Sequence, residues 1–275
     1  MKKLLLSAVF ATSAFALAAC GGGDGGGEES KTLKIGASNV PHAEILEEAQ
    51  PLLEEKGIEL DIVPFQDYIL PNKSLASEEI DANYFQHIPY LESQMAENKD
   101  YDFVNAGGIH IEPIGVYSKK HKTLEDIPEG GTIIMSNSVA DHGRMLSLLE
   151  NEGLITIKEG VDKTTATVDD IGENKKNLKF KADVEASILP QAYNNDEGDA
   201  VLINTNYAIG AGLNPQKDAI ALEGSDSPYV NIITVRKGDE NKEEIKALVD
   251  VLHSEEIQKF IEEKYEGAVV PVDGK

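Results

Sequence analysis

The sequence predicts an α/β fold in which strands and helices alternate along the chain. Short apolar or alternating runs, which are typical of strands, repeatedly precede segments with apolar residues at helical spacing. Residues 31–275 are enough for a sizeable core in one large domain or two lobes. The chain has no visible internal repeat, and repeated strand–helix units of this kind indicate doubly wound sheets.

The first strand–helix–strand unit is predicted within residues 32–63. Residues 32–37 and 58–63 have the alternation of short strands. Between them, residues 41–56 place apolar side chains on one helical stripe, although Pro51 is expected to kink or divide this helix. Such a unit implies two parallel strands joined by a right-handed crossover.

The same patterns predict the later elements. Strands are predicted at residues 101–106, 132–136, 178–182, 200–203 and 230–235. Helices are predicted at residues 141–151, 186–193, 242–253 and 255–265. The strand at residues 132–136 therefore begins a second strand–helix series.

The N-terminal segment is predicted to be a lipoprotein signal peptide at residues 1–19. Two lysines precede an apolar run that is too short to span a bilayer comfortably and that ends in small residues. The sequence LAAC at its end resembles a bacterial lipobox, in which the cysteine, here Cys20, is acylated and becomes the mature N-terminus. A plain secretory peptide that happens to end at a cysteine is the alternative.

Residues 20–30 are predicted to be a flexible tether that starts at the lipidated cysteine. After Cys20 this segment has six glycines and no apolar residue, so it has nothing to bury. Cys20 is the only cysteine, which excludes an intrachain disulfide, a cysteine-based metal site and a thiol nucleophile. The glycines do not form a phosphate loop, because no Gly-Lys-Ser/Thr follows them.

The charge of the chain excludes some classes of partner. The net charge of −24 becomes −26 when residues 1–19, with two lysines and no acid, are removed. Nucleic-acid phosphates and an anionic bilayer surface would both be repelled by the folded part. The acidic residues favour solubility. No second apolar run approaches the length of a membrane span.

Residues 65–91 concentrate aromatic side chains in a chain that is only 6% aromatic. The run DANYFQH has extended character with aromatic rings pointing both ways, and Pro89 fits the first turn of a following helix. A pocket wall needs flat apolar faces with polar tips, which these rings offer. The alternative interpretation is that the rings are simply core.

The same segment resembles a known family. The motifs DYILPN and DANYFQHIPYL resemble those of the NlpA-type methionine-binding lipoproteins, which supply ABC importers. Further matching motifs follow this family's order along most of the chain: LKIGASNVPHAEIL, IHIEPIGVYSKK, VLINTNYA and SPYVNIITVR.

The resemblance implies an α/β, two-lobed fold like that of periplasmic binding proteins, with a mainly parallel sheet in each lobe and the ligand cleft between them. Residues 31–116 plus 232–275 would form lobe 1, and residues 117–231 would form lobe 2. Ligands of open α/β sheets bind outside the carboxyl ends of the strands, which here would face the cleft.

The resemblance also implies a function. The chain would capture a free amino acid, methionine above all, and deliver it to an ABC permease. It would lie outside the cytoplasm in the cell envelope, attached to the membrane only through its N-terminal lipid. We expect a monomer that is not an enzyme and needs no cofactor.

Arg144 is the candidate for binding the ligand carboxylate. It is one of two arginines and lies in the first turn of a predicted helix, where backbone N–H groups also favour an anion. A guanidinium can hold a carboxylate by two parallel hydrogen bonds. The alternative is a solvated arginine on a helix face, but the resemblance implies that this residue grips the ligand.

Two asparagines complete the polar candidates. Asn204 follows an apolar strand, where ligand-reading residues are usual. Asn231 is polar within an apolar run, so it must bond either its own backbone neighbours or a ligand. Both match asparagines that contact the amino-acid backbone in the family.

The resemblance assigns the side-chain pocket to Tyr68, Phe85, His87 and Tyr90. A thioether gains ~0.3–1.5 kcal/mol from each aromatic contact, which helps to select methionine over a plain aliphatic side chain.

One segment departs from the family pattern. The family commonly has Pro-Asn-Asp-Pro-Thr-Asn before the Gly-Arg pair, whereas this chain has SNSVAD followed by His142, Gly143 and Arg144. Asp141 therefore replaces an amide near the polar end of the ligand. This difference bears on the identity of the ligand more than on the fold.

Other classes of function have weaker support. Candidate ligands for a metal importer are His42, His87, His110, His142, Glu112 and Asp141. The chain has no HExxH motif, no tight histidine pair and no histidine-rich loop, so no metal is predicted. It also lacks GxSxG, SxxK and a distinctive carboxylate pair. A surface adhesin-type lipoprotein would have the same anchor, and a co-purifying small molecule would distinguish the importer function from it.

Overall fold

The structure is a computed structural model, and it describes residues 30–224 and 227–273. The predicted signal peptide, Cys20 and the rest of the tether up to residue 29 lie outside the described residues. Among those that are described, no helix is long and apolar enough to cross a membrane.

The described chain alternates strands and helices. The strands are β1 (Lys31–Ser38), β2 (Ile58–Phe65), β3 (Ala82–His87), β4 (Phe103–Ile111), β5 (Gly115–Tyr117), β6 (Thr132–Ser136), β7 (Ile155–Ile157), β8 (Ile171–Asn174), β9 (Lys179–Val184), β10 (Ala200–Ile203), β11 (Ala221–Leu222), β12 (Val230–Arg236) and β13 (Val270–Pro271). The α-helices are α1 (Glu44–Glu54), α2 (Leu70–Ala76), α3 (Ile88–Glu97), α4 (Val139–Asn151), α5 (Leu189–Asn194), α6 (Thr205–Gly210), α7 (Pro215–Asp218), α8 (Glu243–Leu252) and α9 (Glu255–Tyr265). Short helical turns lie at Asn39–Ala43, Leu124–Asp126, Val168–Asp170 and Ala186–Ile188.

The first lobe is built on a six-stranded sheet with the order β13-β4-β12-β3-β1-β2. β1 lies parallel to both β2 and β3, which confirms the predicted strand–helix–strand unit. Helices α1, α8 and α9 contribute apolar faces to its core, in which Leu46, Leu248 and Ile261 are buried. Burial of such side chains is the main favourable contribution to folding.

The second lobe is built on a five-stranded sheet with the order β11-β5-β10-β6-β9. Met145 and Leu149 of α4 pack into its core against Met135 of β6. The chain passes from the first sheet to the second between β4 and β5, and it returns between β11 and β12. We call the described residues of these segments, 112–114 in one and 223–224 with 227–229 in the other, the first and second crossings. The residue limits of the two lobes stay a prediction.

The two-lobed α/β fold confirms the prediction, and each sheet also contains a strand that is antiparallel to both of its neighbours. β12 is antiparallel to both of its neighbours, β3 and β4, and β5 is antiparallel to β10 and β11. A parallel pair needs a crossover helix, whereas an antiparallel strand does not. β5 and β12, the strands that follow the two crossings, enter their sheets without such a helix, and they run against the strands of the helical units.

Pro51 does not divide α1, which runs from Glu44 to Glu54. The proline lies on the exposed face, while Ala49 and Leu53 are buried beside it. Packing of this buried face holds the helix together although the proline cannot donate a backbone hydrogen bond. Pro89 lies in the first turn of α3, as predicted.

Candidate ligand-binding cleft

One cleft between the lobes brings all the predicted ligand-binding side chains together. The eight predicted residues that line it are Tyr68, Phe85, His87, Tyr90, Asp141, Arg144, Asn204 and Asn231. The first four and Asn231 come from the first lobe, and the other three come from the second.

Aromatic rings form one wall of the cleft. The ring centroids of Tyr68, Phe85 and Tyr90 lie 5.9–6.1 Å from one another. The Tyr68 hydroxyl donates to Asn206 Oδ1 (2.6 Å), and the Tyr90 hydroxyl donates to the backbone oxygen of Tyr68 (2.8 Å). These bonds hold the rings in place and leave apolar surface for a ligand side chain. Tyr84, by contrast, is fully buried in the core, so the core interpretation holds for that ring.

Arg144 is buried, with 4% of its surface exposed, so the alternative of a solvated arginine is wrong. Its Nε donates to Glu223 Oε2 (3.0 Å), and its Nη2 donates to the same carboxylate oxygen and to the backbone oxygen of Glu112 (2.6 Å). The guanidinium also lies 4.7 Å from the centroid of the Tyr229 ring. Burial acts to lower the pKa of Arg144, but the charges of Glu223 and Asp141 raise it overall.

The Nε–Nη2 edge of Arg144 is therefore occupied by protein groups. Within the described residues, Nη1 is the guanidinium nitrogen without a hydrogen-bond acceptor, and it lies 4.0 Å from Asp141 Oδ1. Nη1 carries two N–H groups. The sequence predicts that two nitrogens of Arg144 bind a ligand carboxylate. In this structure Glu223 occupies the Nε–Nη2 edge, which leaves Nη1 as the nitrogen that can bind one.

Asp141 is a buried carboxylate with 1% of its surface exposed. His87 Nε2 lies 2.9 Å from Asp141 Oδ1, and Asn204 Nδ2 donates to Oδ2 (3.2 Å). Burial acts to raise the pKa of Asp141, but the hydrogen bond and charge of His87 and the charge of Arg144 together lower it. The other amide atom, Asn204 Oδ1, is buried without a partner among the described residues. Asp141 and Asn204 thus offer acceptors to the cleft.

Asn231 offers a hydrogen-bond donor to the cleft, whereas Asp141 and Asn204 offer acceptors. Its position in β12 pairs it with His87 in β3, and its Oδ1 lies 3.0 Å from His42 Nε2. When His42 donates through Nε2, the amide oxygen of Asn231 is occupied and Nδ2 is left as a donor. Sequence patterns did not indicate His42 as the partner that orients this amide.

Behind the cleft, a hydrogen-bonded cluster surrounds the buried Glu112 carboxylate. Its Oε1 lies 2.8 Å from His110 Nε2 and 3.3 Å from His42 Nε2, while Oε2 accepts from the backbone N–H of Asn206 (3.1 Å). His110 Nδ1 bonds the Tyr84 hydroxyl. Burial lowers the pKa of His42 to about 4 and that of His110 to about 3, and it raises the pKa of Glu112.

This cluster contains only part of the candidate metal site. Ligand atoms of His42, His110 and Glu112 lie within 4.8 Å of one another, so they are close enough to hold a cation. Existing hydrogen bonds already occupy all of these atoms except His42 Nδ1. His87 binds Asp141 instead, and His142 Nε2 bonds the backbone oxygen of Ser136. The described structure therefore does not unite the four histidines.

Sequence patterns did not indicate several residues that line the cleft or contact its lining. The sequence indicates Glu112, which lines the cleft, only as a metal ligand, although it is an acid in an apolar run, the same signal that indicates Asn231. Glu223 lies in a polar segment with no distinguishing pattern, and Tyr207, which packs 5.0 Å from Tyr68, carried no signal of its own.

Known proteins are similar to this chain over most of its length. The methionine-binding lipoprotein MetQ of Bacillus subtilis is 55% identical over 99% of both chains. A crystal structure described as a putative methionine-binding lipoprotein from Bacillus subtilis has a TM-score of 0.87 at 56% identity, covering 88% of this chain and 98% of that one. A nutrient binding protein from Burkholderia cenocepacia bound to methionine has a TM-score of 0.82 at 41% identity, with 87% and 99% covered. The family model described as NlpA lipoprotein matches residues 33–273, and the chain therefore belongs to the NlpA lipoprotein family.

Proposed function

We propose that the protein captures a free amino acid of the methionine type and delivers it to an ABC permease. The observation that carries this proposal is that one cleft offers both hydrogen-bond acceptors and donors beside an aromatic wall. Asp141 and Asn204 supply the acceptors, and Arg144 and Asn231 supply the donors. A zwitterionic amino acid has the complementary pair of charges.

The ammonium group would be held by Asp141 and Asn204. Glu223 already compensates the charge of Arg144 by direct contact, and Arg144 is 4.0 Å from Asp141. A buried carboxylate is costly unless it is paired and hydrogen-bonded. A ligand ammonium would supply the charge for Asp141 and a donor for the unpartnered Asn204 Oδ1.

The carboxylate would accept from Arg144 Nη1 and Asn231 Nδ2. The ligand side chain would then lie against Tyr68, Phe85 and Tyr90. A methionine thioether suits these rings because sulfur makes favourable contacts with aromatic side chains. The methionine bound to the relative from Burkholderia cenocepacia supports this choice of ligand.

The test is a calorimetric titration of the wild type and two variants with methionine and its des-amino analogue. Arg144→Lys keeps the charge but loses the contacts with Glu223 and Glu112, so we expect at least tenfold weaker methionine binding, about 1.4 kcal/mol. Asp141→Asn should lose less methionine affinity than Arg144→Lys does, since the family has an amide at this position. It should also discriminate less against the des-amino analogue than the wild type does.

Arg236→Lys is the matched control, because Arg236 bonds backbone oxygens of Leu75 and Ile80 outside the cleft. It should bind methionine as the wild type does. Equal methionine affinity of wild type and Arg144→Lys would refute the assignment of the carboxylate, and equal discrimination in Asp141→Asn would refute that of the ammonium.

The remaining features of the proposal concern the whole chain. We propose that Cys20 carries the lipid, that the folded part lies outside the cytoplasm, and that the protein is a monomer without enzymatic activity. The family and the names of the relatives support a lipoprotein and a binding role. The permease would receive the amino acid when the cleft opens.

A further inference from the structure

Glu223 is a carboxylate of the second crossing, and it contacts groups from three parts of the chain. Its Oε2 accepts from Arg144 Nε (3.0 Å) in α4 and from the backbone N–H of Ile114 (3.1 Å) in the first crossing. Its Oε1 accepts from the Ser227 hydroxyl (2.9 Å). The side chain has only 13% of its surface exposed, so these bonds are largely shielded from water.

Arg144 is also attached to the first crossing, because its Nη2 donates to the backbone oxygen of Glu112 (2.6 Å). The guanidinium is thus fixed along one edge by both segments that connect the lobes. A planar guanidinium held at Nε and Nη2 has one orientation for its remaining nitrogen, Nη1.

We propose that Glu223 is a positioning residue of the ligand site, which holds Arg144 so that Nη1 alone meets the ligand carboxylate. This inference rests on the proposed function. Glu223 has no direct role with the ligand: it orients Arg144 and compensates its charge while the cleft is empty. Fixing a donor before binding saves the entropy of ordering it on association.

The same contacts connect the ligand site to both crossings. A ligand carboxylate on Nη1 would contact a group whose other edge is bonded to both crossings.

The experiment measures methionine and methioninamide binding to the full-length chain by calorimetry, with displacement of methionine for the weaker ligand. Glu223→Gln removes the charge that holds Arg144, and we expect it to weaken methionine binding on the order of tenfold. Methioninamide lacks the carboxylate charge, so its affinity should fall by at most about threefold, because a neutral acceptor forms a weaker bond with a guanidinium.

Two further variants make the result specific. Glu150→Gln is the matched control, since Glu150 lies on the same helix but binds Lys163 and the backbone of Ile157; it should bind both ligands normally. In an Arg144→Lys background, Glu223→Gln should weaken methionine binding by less than about a further twofold, because the effects of residues that act through one contact are not additive.

Ser227→Ala serves if Glu223→Gln does not fold, because it removes one bond to Glu223. It should show a smaller loss of methionine affinity, which again exceeds the loss for methioninamide.

Equal losses for methionine and methioninamide would mean a merely structural role and would overturn the inference. So would unchanged or tighter methionine binding by Glu223→Gln. If Arg144→Lys loses affinity while Glu223→Gln does not, the inference fails and the proposed function stands. A wild type that binds neither ligand would overturn both.

Discussion

At the scale of single residues, the most informative feature is the row of buried polar groups behind the cleft. Tyr84, His110 and Glu112 are hydrogen-bonded in a row, Glu112 Oε1 lies 3.3 Å from His42 Nε2, and His42 bonds Asn231 in the cleft wall. Buried polar groups are stable when they are satisfied in this way. The bond from His42 orients the amide of Asn231, and burial keeps both imidazoles neutral at neutral pH.

These two histidines predict acid sensitivity of the fold. Their pKa falls from 6.5 to about 4 for His42 and about 3 for His110 on folding. Below pH 6.5 the unfolded chain therefore binds protons that the folded chain does not, so stability present above that pH is lost as the pH falls. Each histidine contributes a loss of about 1.4 kcal/mol per pH unit, and the raised pKa of Glu112 offsets part of it.

Urea unfolding of the ligand-free chain at pH 7, 6 and 5 measures this loss. We expect a net decrease of roughly 1–2 kcal/mol per pH unit, and a shallower decrease for His110→Gln. His121→Gln is the control, because His121 lies near the surface and outside the row. The hypothesis is wrong if His110→Gln retains the slope of the wild type.

At the scale of elements, α4 carries both Asp141 and Arg144 in its first turns. Its start packs closely against the loop at residues 163–164, and Gly143 is the point of contact. A Cβ on Gly143 would lie 2.2 Å from the Lys163 backbone oxygen and 2.8 Å from that of Thr164. Glycine is needed here because the two backbones approach so closely.

Gly143→Ala should therefore move the start of α4 and the two charged side chains with it. We expect a loss of about 1–3 kcal/mol in the free energy of unfolding, as for other overpacked sites, together with weaker methionine binding. Gly210→Ala is the control, since a Cβ there meets no atom within 4 Å. Denaturant unfolding and calorimetry on both variants give the answer, and wild-type affinity in folded Gly143→Ala would contradict the expectation.

At the scale of the whole molecule, each lobe has its own sheet and core, and the ligand site lies where the lobes meet. The two crossings are also the segments that hold Arg144. The proposed lipid is attached at residue 20, and the first strand begins at Lys31. A flexible segment of ten residues has an r.m.s. reach of ~17 Å, so the anchor should not constrain the cleft.

Cys20→Ala should release the exported protein from the membrane without changing its affinity for methionine. Membrane fractionation and calorimetry on the released protein measure the two effects separately. Exported and cleaved Cys20→Ala protein that remains in the membrane fraction would disprove attachment through a lipid on this residue.

The sequence by itself determined the local elements and indicated part of the lining of the cleft. Alternation predicted β1 and β2, and helical spacing with Gly and Pro signals predicted α1 and α3, because these patterns depend on neighbours a few residues apart. The motif resemblance indicated eight residues, and all of them line one cleft. Both results come from information that is contiguous in the chain.

Only the tertiary structure decided strand direction and the partners of the charged groups. The strands that flank the crossings run antiparallel to their neighbours because of connections through the other lobe. Glu223 and Arg144 are 79 residues apart, and His42 and Asn231 are 189 apart. Periodicity carries no information at such separations. Which atom of Arg144 remains free for a ligand therefore depends on packing of α4 against the crossings, since only packing brings Glu223 to one edge of the guanidinium.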